Sequence, residues 1–451
     1  MKVSQAVPLP SGPAADEGKT PQIFAAILGA FLGLAFLKFG NPPIMAKFET
    51  PPSNIYEFLM GYPWPSGWAY GGLILLAIAG LWLARPEAHR PHWLVFLPAV
   101  WFGCQFLSSI FTIDYSLSQN VLKHFASCTA CFYLGYFCLS RAHTLGTFFM
   151  FLAAALSVVC VVGWDQHFGG LEATRKYFYL YIYPQLKEIP PEYIKKMSSN
   201  RIFGTLFYPN TLAGAILLVL PVSVALIWSA KDRLTAGARL LLISIIGTGA
   251  IAALVWSGSK GGWLLALLLA IVALLQQPLP RKWRASIVAV IVVVGLTAFF
   301  VRYAGFFQKG ATSVSARMDY WSAAVQIAAQ HPLVGTGPGT FSKPYADLKK
   351  PESEMARLVH NDYLEQASDS GLPAAGLYAT FIIGGLIRCF KRGIRGDPVA
   401  FAAWLGLLGW GLQGLMEFGL YVPALAWTCF TLLGWLLARA RIPLDKAAPQ
   451  I

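Results

Sequence analysis

The sequence predicts an all-α polytopic membrane protein of about twelve transmembrane helices, with two long outer loops, the larger carrying short surface helices. Three observations predict this. The 451 residues are 56% hydrophobic and only 12% charged, about half the charged share of an ordinary soluble domain. Apolar runs of membrane-crossing length recur along the chain. The Lys and Arg residues that give a net charge of +14 cluster in alternate short connections. In a soluble chain that charge would point to nucleic acid; here it is the positive-inside signature, and no nucleic-acid partner is expected.

Taken in order, residues 1–21 are polar and turn-rich and read as a disordered cytoplasmic tail. Expected spans lie near 22–40, 67–84, 93–112, 121–139, 144–163, 208–229, 239–256, 260–276, 285–302, 372–389, 399–416 and 420–437. They divide the chain into a bundle over 22–302, a large outer loop over 303–371, C-terminal spans over 372–437 and a tail over 438–451. Arg85 and Arg90, Arg141, Lys231 with Arg233 and Arg239, Arg281 with Lys282 and Arg284, and Arg388 with Lys391, Arg392 and Arg395 share one side. Both termini are therefore expected in the cytoplasm. The segment 41–66, with its prolines, Trp64 and Trp68, reads as an interfacial re-entry.

The loops 164–207 and 303–371 face the other side, and loops this long in a compact protein are usually functional. In the larger, Ser315 to Gln330 has helical spacing, Gly335-Thr336-Gly337-Pro338-Gly339 is a turn, and a second helix is expected over Glu354 to Ser368, closed by Gly371. Seven cysteines, including a Cys128-x-x-Cys131 within a span, read as small buried hydrophobes rather than redox or metal groups. No metal-ligand spacing, nucleophile elbow or P-loop is present.

Several residues could carry chemistry. On the second loop helix Arg357, His360, Asn361 and Leu364 would share a face. His360 can exchange a proton near neutral pH, or be an idle surface histidine. Asn361 could orient its ring, bind a sugar or be merely solvated. Arg201 stands just before a span whose start holds Pro209 and Asn210, the latter a possible helix cap; a helix N-terminus with an arginine suits a phosphate, and interfacial anchoring fits equally. Lys260, in a short turn on the outer side, suits a phosphate or snorkels to headgroups. Arg317 could join a cationic cluster or pair with Asp319. Lys123 and His124 form an ionisable pair in a span, and such residues are functional by default. Tyr177, Tyr179, Tyr181 and Tyr183 beside Arg175, Lys176 and Lys187 suit either a carbohydrate or lipid headgroups.

Three blocks resemble the O-antigen ligase and polymerase superfamily of bacterial envelope glycosyltransferases. They are Arg201 to Ala213, Ser257 to Leu268, and a third running from Arg317 and Trp321 through His331-Pro332-Leu333-Val334-Gly335-Thr336-Gly337-Pro338-Gly339-Thr340-Phe341 to His360-Asn361-Asp362-Tyr363-Leu364-Glu365 and Gly371. The resemblance implies a metal-independent, inverting glycosyl transfer without cofactor at the periplasmic face of the inner membrane. The donor would be a glycan on undecaprenyl diphosphate and the acceptor a sugar hydroxyl, of lipid A–core in a ligase. Polymerisation and transfer to a protein hydroxyl share these motifs. His360 would be the base, Arg201 and Arg317 would hold the diphosphate with help from Arg357, and Asn361 and Asn210 would support them. Lys260 departs from the arginine common in the family at its block, a point charge in place of a planar fork. Two other classes remain: a solute transporter of bicarbonate type, which calls for ionisable residues deep in several spans, and an envelope-assembly scaffold.

Overall fold

The computed structural model describes residues 19–61, 63–84, 91–185, 194, 198–308, 312–351, 353–392 and 394–440. Nearly all of both expected tails, with Arg85, Arg90 and Lys187, lies outside them. Secondary structure among the described residues is helical. The order is α1 (Lys19–Lys38), α2 (Ile55–Met60), α3 (Ser66–Leu83), α4 (Leu97–Ile110), α5 (Tyr115–Phe137), α6 (Gly146–Asp165), α7 (Leu171–Tyr177) and α8 (Pro209–Ser229). There follow α9 (Ala236–Ser257), α10 (Lys260–Leu275), α11 (Arg281–Gln308), α12 (Thr312–Gln330), α13 (Ser342–Leu348), α14 (Asp362–Lys391), α15 (Pro398–Gln413) and α16 (Pro423–Arg439).

Every expected span falls on a helix. Eight helices among the described residues are long and apolar enough to cross a membrane. The other four expected spans fall on α5, α10, α15 and α16, which are shorter or more polar. The interior is built around α16, which is buried at every residue from Pro423 to Ala438. Its closest partner is α5. A side chain on Gly135 would run into the Thr431 carbonyl, and one on Gly434 into the Phe132 carbonyl. Backbone contact through small residues replaces hydrophobic drive in membrane helix packing. At the other extreme, α11 buries only Phe299 and Tyr303; its aliphatic surface faces outward.

One end of the bundle is tied together by hydrogen bonds between helix ends. Trp64 N donates to Lys38 O (2.9 Å), Ala424 N to Phe39 O (3.2 Å), Ile113 N to Thr336 O (3.0 Å) and Asp362 N to Gly414 O (2.7 Å). At the opposite end Arg141 Nη1 donates to Leu83 O (2.6 Å) and Arg439 pairs with Asp397 (3.0 Å).

The segment 335–339 is a turn, as its glycines require. It docks on the break in α14: Gly337 N donates to Asp369 O (2.8 Å) and Gly339 N to Asp369 Oδ2 (2.7 Å). Gly335 (φ 64°) lies against the Asp369 backbone, where a side chain has no room. The second loop helix is a correction. Residues 354–361 are not helical; the helix starts at Asp362 and runs to Lys391, broken at Gly371 (φ 87°, ψ 166°). The unforeseen α13 lies between turn and helix. In the other loop, α6 runs on through a turn at 166–170 into α7.

Candidate functional site

The loop carrying Arg201 is held by a buried glutamine. Gln166 Oε1 accepts from Phe203 N (3.0 Å) and Gly204 N (2.9 Å), and its Nε2 donates to Gly204 O (2.8 Å). Thr205 Oγ1 donates to Phe36 O (2.6 Å). Helix α8 then starts at Pro209 with Tyr208 in the cap position. Asn210 therefore lies two residues past the cap position and does not cap, contrary to expectation. Its side chain is a bridge instead: Oδ1 accepts from Arg201 Nη2 (2.8 Å) and Nδ2 donates to Glu417 Oε1. Arg201 Nε donates to Ser257 O (2.7 Å), the last residue of α9. Burial pulls the Arg201 guanidinium below its usual range, yet an arginine stays cationic at neutral pH.

From Ser257 the chain turns through Gly258 (φ 63°), and Ser259 caps α10 by accepting from Gly262 N (3.2 Å). Lys260 opens that helix. Its Nζ lies 3.9 Å from the Phe306 ring centroid and 5.2 Å from that of Tyr303, both on α11, and within electrostatic reach of Arg201, Arg317 and Arg302.

Glu417, in the connection between α15 and α16, is the centre of the cluster, and nothing in its local sequence singles it out. Arg317 Nη2 donates to its Oε1, while His360 Nδ1 stands 3.3 Å from its Oε2. Arg317 Nε is buried without a hydrogen-bond partner among the described residues. Burial alone would raise the Glu417 carboxyl. The His360 hydrogen bond and the charges of Arg317 and Arg201 outweigh it and hold the group below the ordinary carboxylate range. Arg317 thus joins the cluster rather than pairing with Asp319, which meets Lys350 (3.4 Å) and Ser353 (2.8 Å).

His360 has φ 56°, a left-handed backbone uncommon outside glycine and asparagine. It immediately precedes Asn361, whose Oδ1 caps α14 by accepting from Tyr363 N and Leu364 N (both 3.1 Å). The expected shared helical face of Arg357, His360, Asn361 and Leu364 does not exist, because only Leu364 is inside the helix. The imidazole lies between Tyr320 (centroids 6.0 Å apart) and the edge of Phe418 (4.9 Å). It is 30% exposed, and Nε2 makes no hydrogen bond among the described residues. The Arg357 guanidinium lies over Phe48 (5.6 Å), as does Lys47 (4.8 Å).

Other expected sites fall elsewhere. His124 is fully buried, its Nε2 2.7 Å from Leu420 O. Tyr177 OH donates to Glu57 Oε1 (3.0 Å), joining α7 to α2. All seven cysteines are unpaired, and among the described residues no group of three His, Cys, Asp or Glu could hold a metal.

A carboxylate fixing Nδ1–H leaves Nε2 as a proton acceptor. Beside it, Arg201 and Arg317 act on the Glu417 carboxylate, and Lys260, within electrostatic reach of both arginines, adds a third cation. A base next to surplus cationic charge suits removal of a hydroxyl proton with departure of an anionic group. Residues 248–379 match the family model described as O-antigen ligase. The match contains Lys260, Arg317, Arg357, His360 and Asn361 and stops short of Glu417; Arg201 and Asn210 precede it. No curated protein matches the chain.

Proposed function

We propose, with the O-antigen ligase-type domain at 248–379 as the premise, that this membrane protein is an inverting glycosyltransferase. It moves a glycan from undecaprenyl diphosphate to a sugar hydroxyl, that of lipid A–core in the reading we favour. The reaction would take place at the periplasmic face of the bacterial inner membrane, with both termini cytoplasmic. The orientation rests on the basic connections at the end of the bundle opposite the site. The observation that carries the reading is the single carboxylate of Glu417, shared between Arg317 and His360.

In this mechanism His360 Nε2 takes the proton of the acceptor hydroxyl as its oxygen attacks the anomeric carbon. The bond from that carbon to the diphosphate breaks on the opposite face, and the electron pair leaves with the phosphate oxygen. Arg201, Lys260 and Arg317 hold the charge that develops there, so the leaving group needs no strong acid. Asn210 keeps Arg201 in register with Glu417, and Asn361 fixes the backbone turn that presents His360. Membrane lipids surround the apolar faces, and the polyprenyl tail shares that phase.

The test is glycan transfer by purified protein from an undecaprenyl-diphosphate oligosaccharide. His360→Ala should lower the rate about 10²–10⁴-fold, the usual worth of a general base. His360→Asn should do the same while keeping the left-handed turn, since asparagine tolerates it. Full transfer by either variant would remove His360 as the base. Competing lipid A–core, free glycan and protein acceptors separate ligation from polymerisation and protein glycosylation. Solute uptake into liposomes without transfer would favour a carrier.

A further inference from the structure

Asp362 has no part in the mechanism above, yet it is buried within two residues of His360. Its backbone N–H donates to Gly414 O (2.7 Å), and its Oδ2 accepts from Leu420 N (3.0 Å). Gly414 and Leu420 flank Glu417 and Phe418 within the connection between α15 and α16. A side chain on Gly414 would sit 2.9 Å from the Asp362 carboxylate, so the loop is drawn tight against this residue. From α5, His124 grips the same point, its Nε2 2.7 Å from Leu420 O. A carbonyl can only accept, so Nε2 carries the proton, and Nδ1 is buried without a hydrogen-bond partner among the described residues. Leu420 is therefore held at its N–H by Asp362 and at its carbonyl by His124.

We infer that Asp362 is a positioning residue that sets the Glu417 loop in register with His360, and that His124 is its counterpart from the membrane-embedded side. The inference rests on the reading of His360 as base. Among the described residues the Asp362 side chain accepts only a neutral backbone N–H, so the role calls for an acceptor oxygen of this size and not for a charge.

The experiment uses full-length protein in nanodiscs, an undecaprenyl-diphosphate oligosaccharide from the native membrane, and deacylated lipid A–core as acceptor. Asp362→Ala should lower kcat about 10²-fold, the scale set by a misplacement of about 1 Å, with KM for the donor within about threefold. Asp362→Asn should recover to within about threefold of the wild type, because its amide oxygen accepts the same N–H. In a Glu417→Gln background, Asp362→Ala should add less than about threefold, because two residues acting through one carboxylate are not additive. If Asp362→Ala does not fold, His124→Leu tests the other grip, with the same kcat loss and the same non-additivity expected. An unaffected kcat, a loss confined to KM, failure of Asp362→Asn to recover, or full additivity would each overturn the inference. His360→Ala, measured in parallel, separates the two readings. Activity there removes the base itself, whereas an inactive His360→Ala beside a fully active Asp362→Ala removes only the positioning role.

Discussion

Glu417 is where burial, hydrogen bonding and charge compete. Its carboxyl is held below its ordinary value of 4.5 despite burial. The sign of the pH effect follows. A carboxyl whose folded pKa is depressed contributes stability that is complete above its unfolded value and is lost as pH falls through the folded one. Melting temperatures of wild type and Glu417→Gln should therefore differ by a constant amount above pH 4.5 and converge below it. A difference that persists unchanged at pH 3 would show that the carboxylate is not the group the cations hold. The sequence could not nominate Glu417, because its partners His360, Arg317 and Asn210 lie 57, 100 and 207 residues away. His360, Arg201 and Arg317 were legible because each stands in a polar segment beside a span, where an ionisable group calls for a reason. Arg357 was chosen on the spacing of a helix that is absent there.

At the scale of the element, the start of α14 decides how the site is presented. Asn361 as cap, with Asp362 and Glu365 in the first turn, is a start signal written in the sequence. Extending the helix back to Glu354 overlooked it. The cost of losing such a cap is about 0.5–2 kcal/mol. Asn361→Ala should lower the melting temperature by a few degrees, and Asn361→Asp should restore most of it. An unchanged melting temperature in Asn361→Ala would mean that tertiary contacts alone hold the helix start. The glycine-rich segment was legible as a turn. Its purpose was not, because Gly335 is required by the Asp369 backbone 34 residues on, a contact that exists only in the folded bundle.

For the whole molecule, apolar runs located the helices well, since length and hydropathy are properties of local sequence. Their arrangement depends on which surfaces can touch, and Gly135 with Gly434 marks the closest such surface. Gly434→Val places a side chain against the Phe132 carbonyl, and overpacking of this kind typically costs about 1–3 kcal/mol. A lowered melting temperature and a reduced yield of monodisperse protein are expected; wild-type values for both would show that α5 and α16 have room to separate. The complete enclosure of α16 also bears on how the protein is made. Chains emerge N-terminus first, so α16 leaves the ribosome after every other described helix. It has no face left for lipid and must be received into a slot that its neighbours keep open. The turn that precedes it brings Glu417, so the cations and the histidine gain their common partner only when that last helix is seated. Seating of this helix and completion of the cluster thereby become one event, and a nascent chain halted before this point would carry His360 and the cations without the carboxylate that joins them.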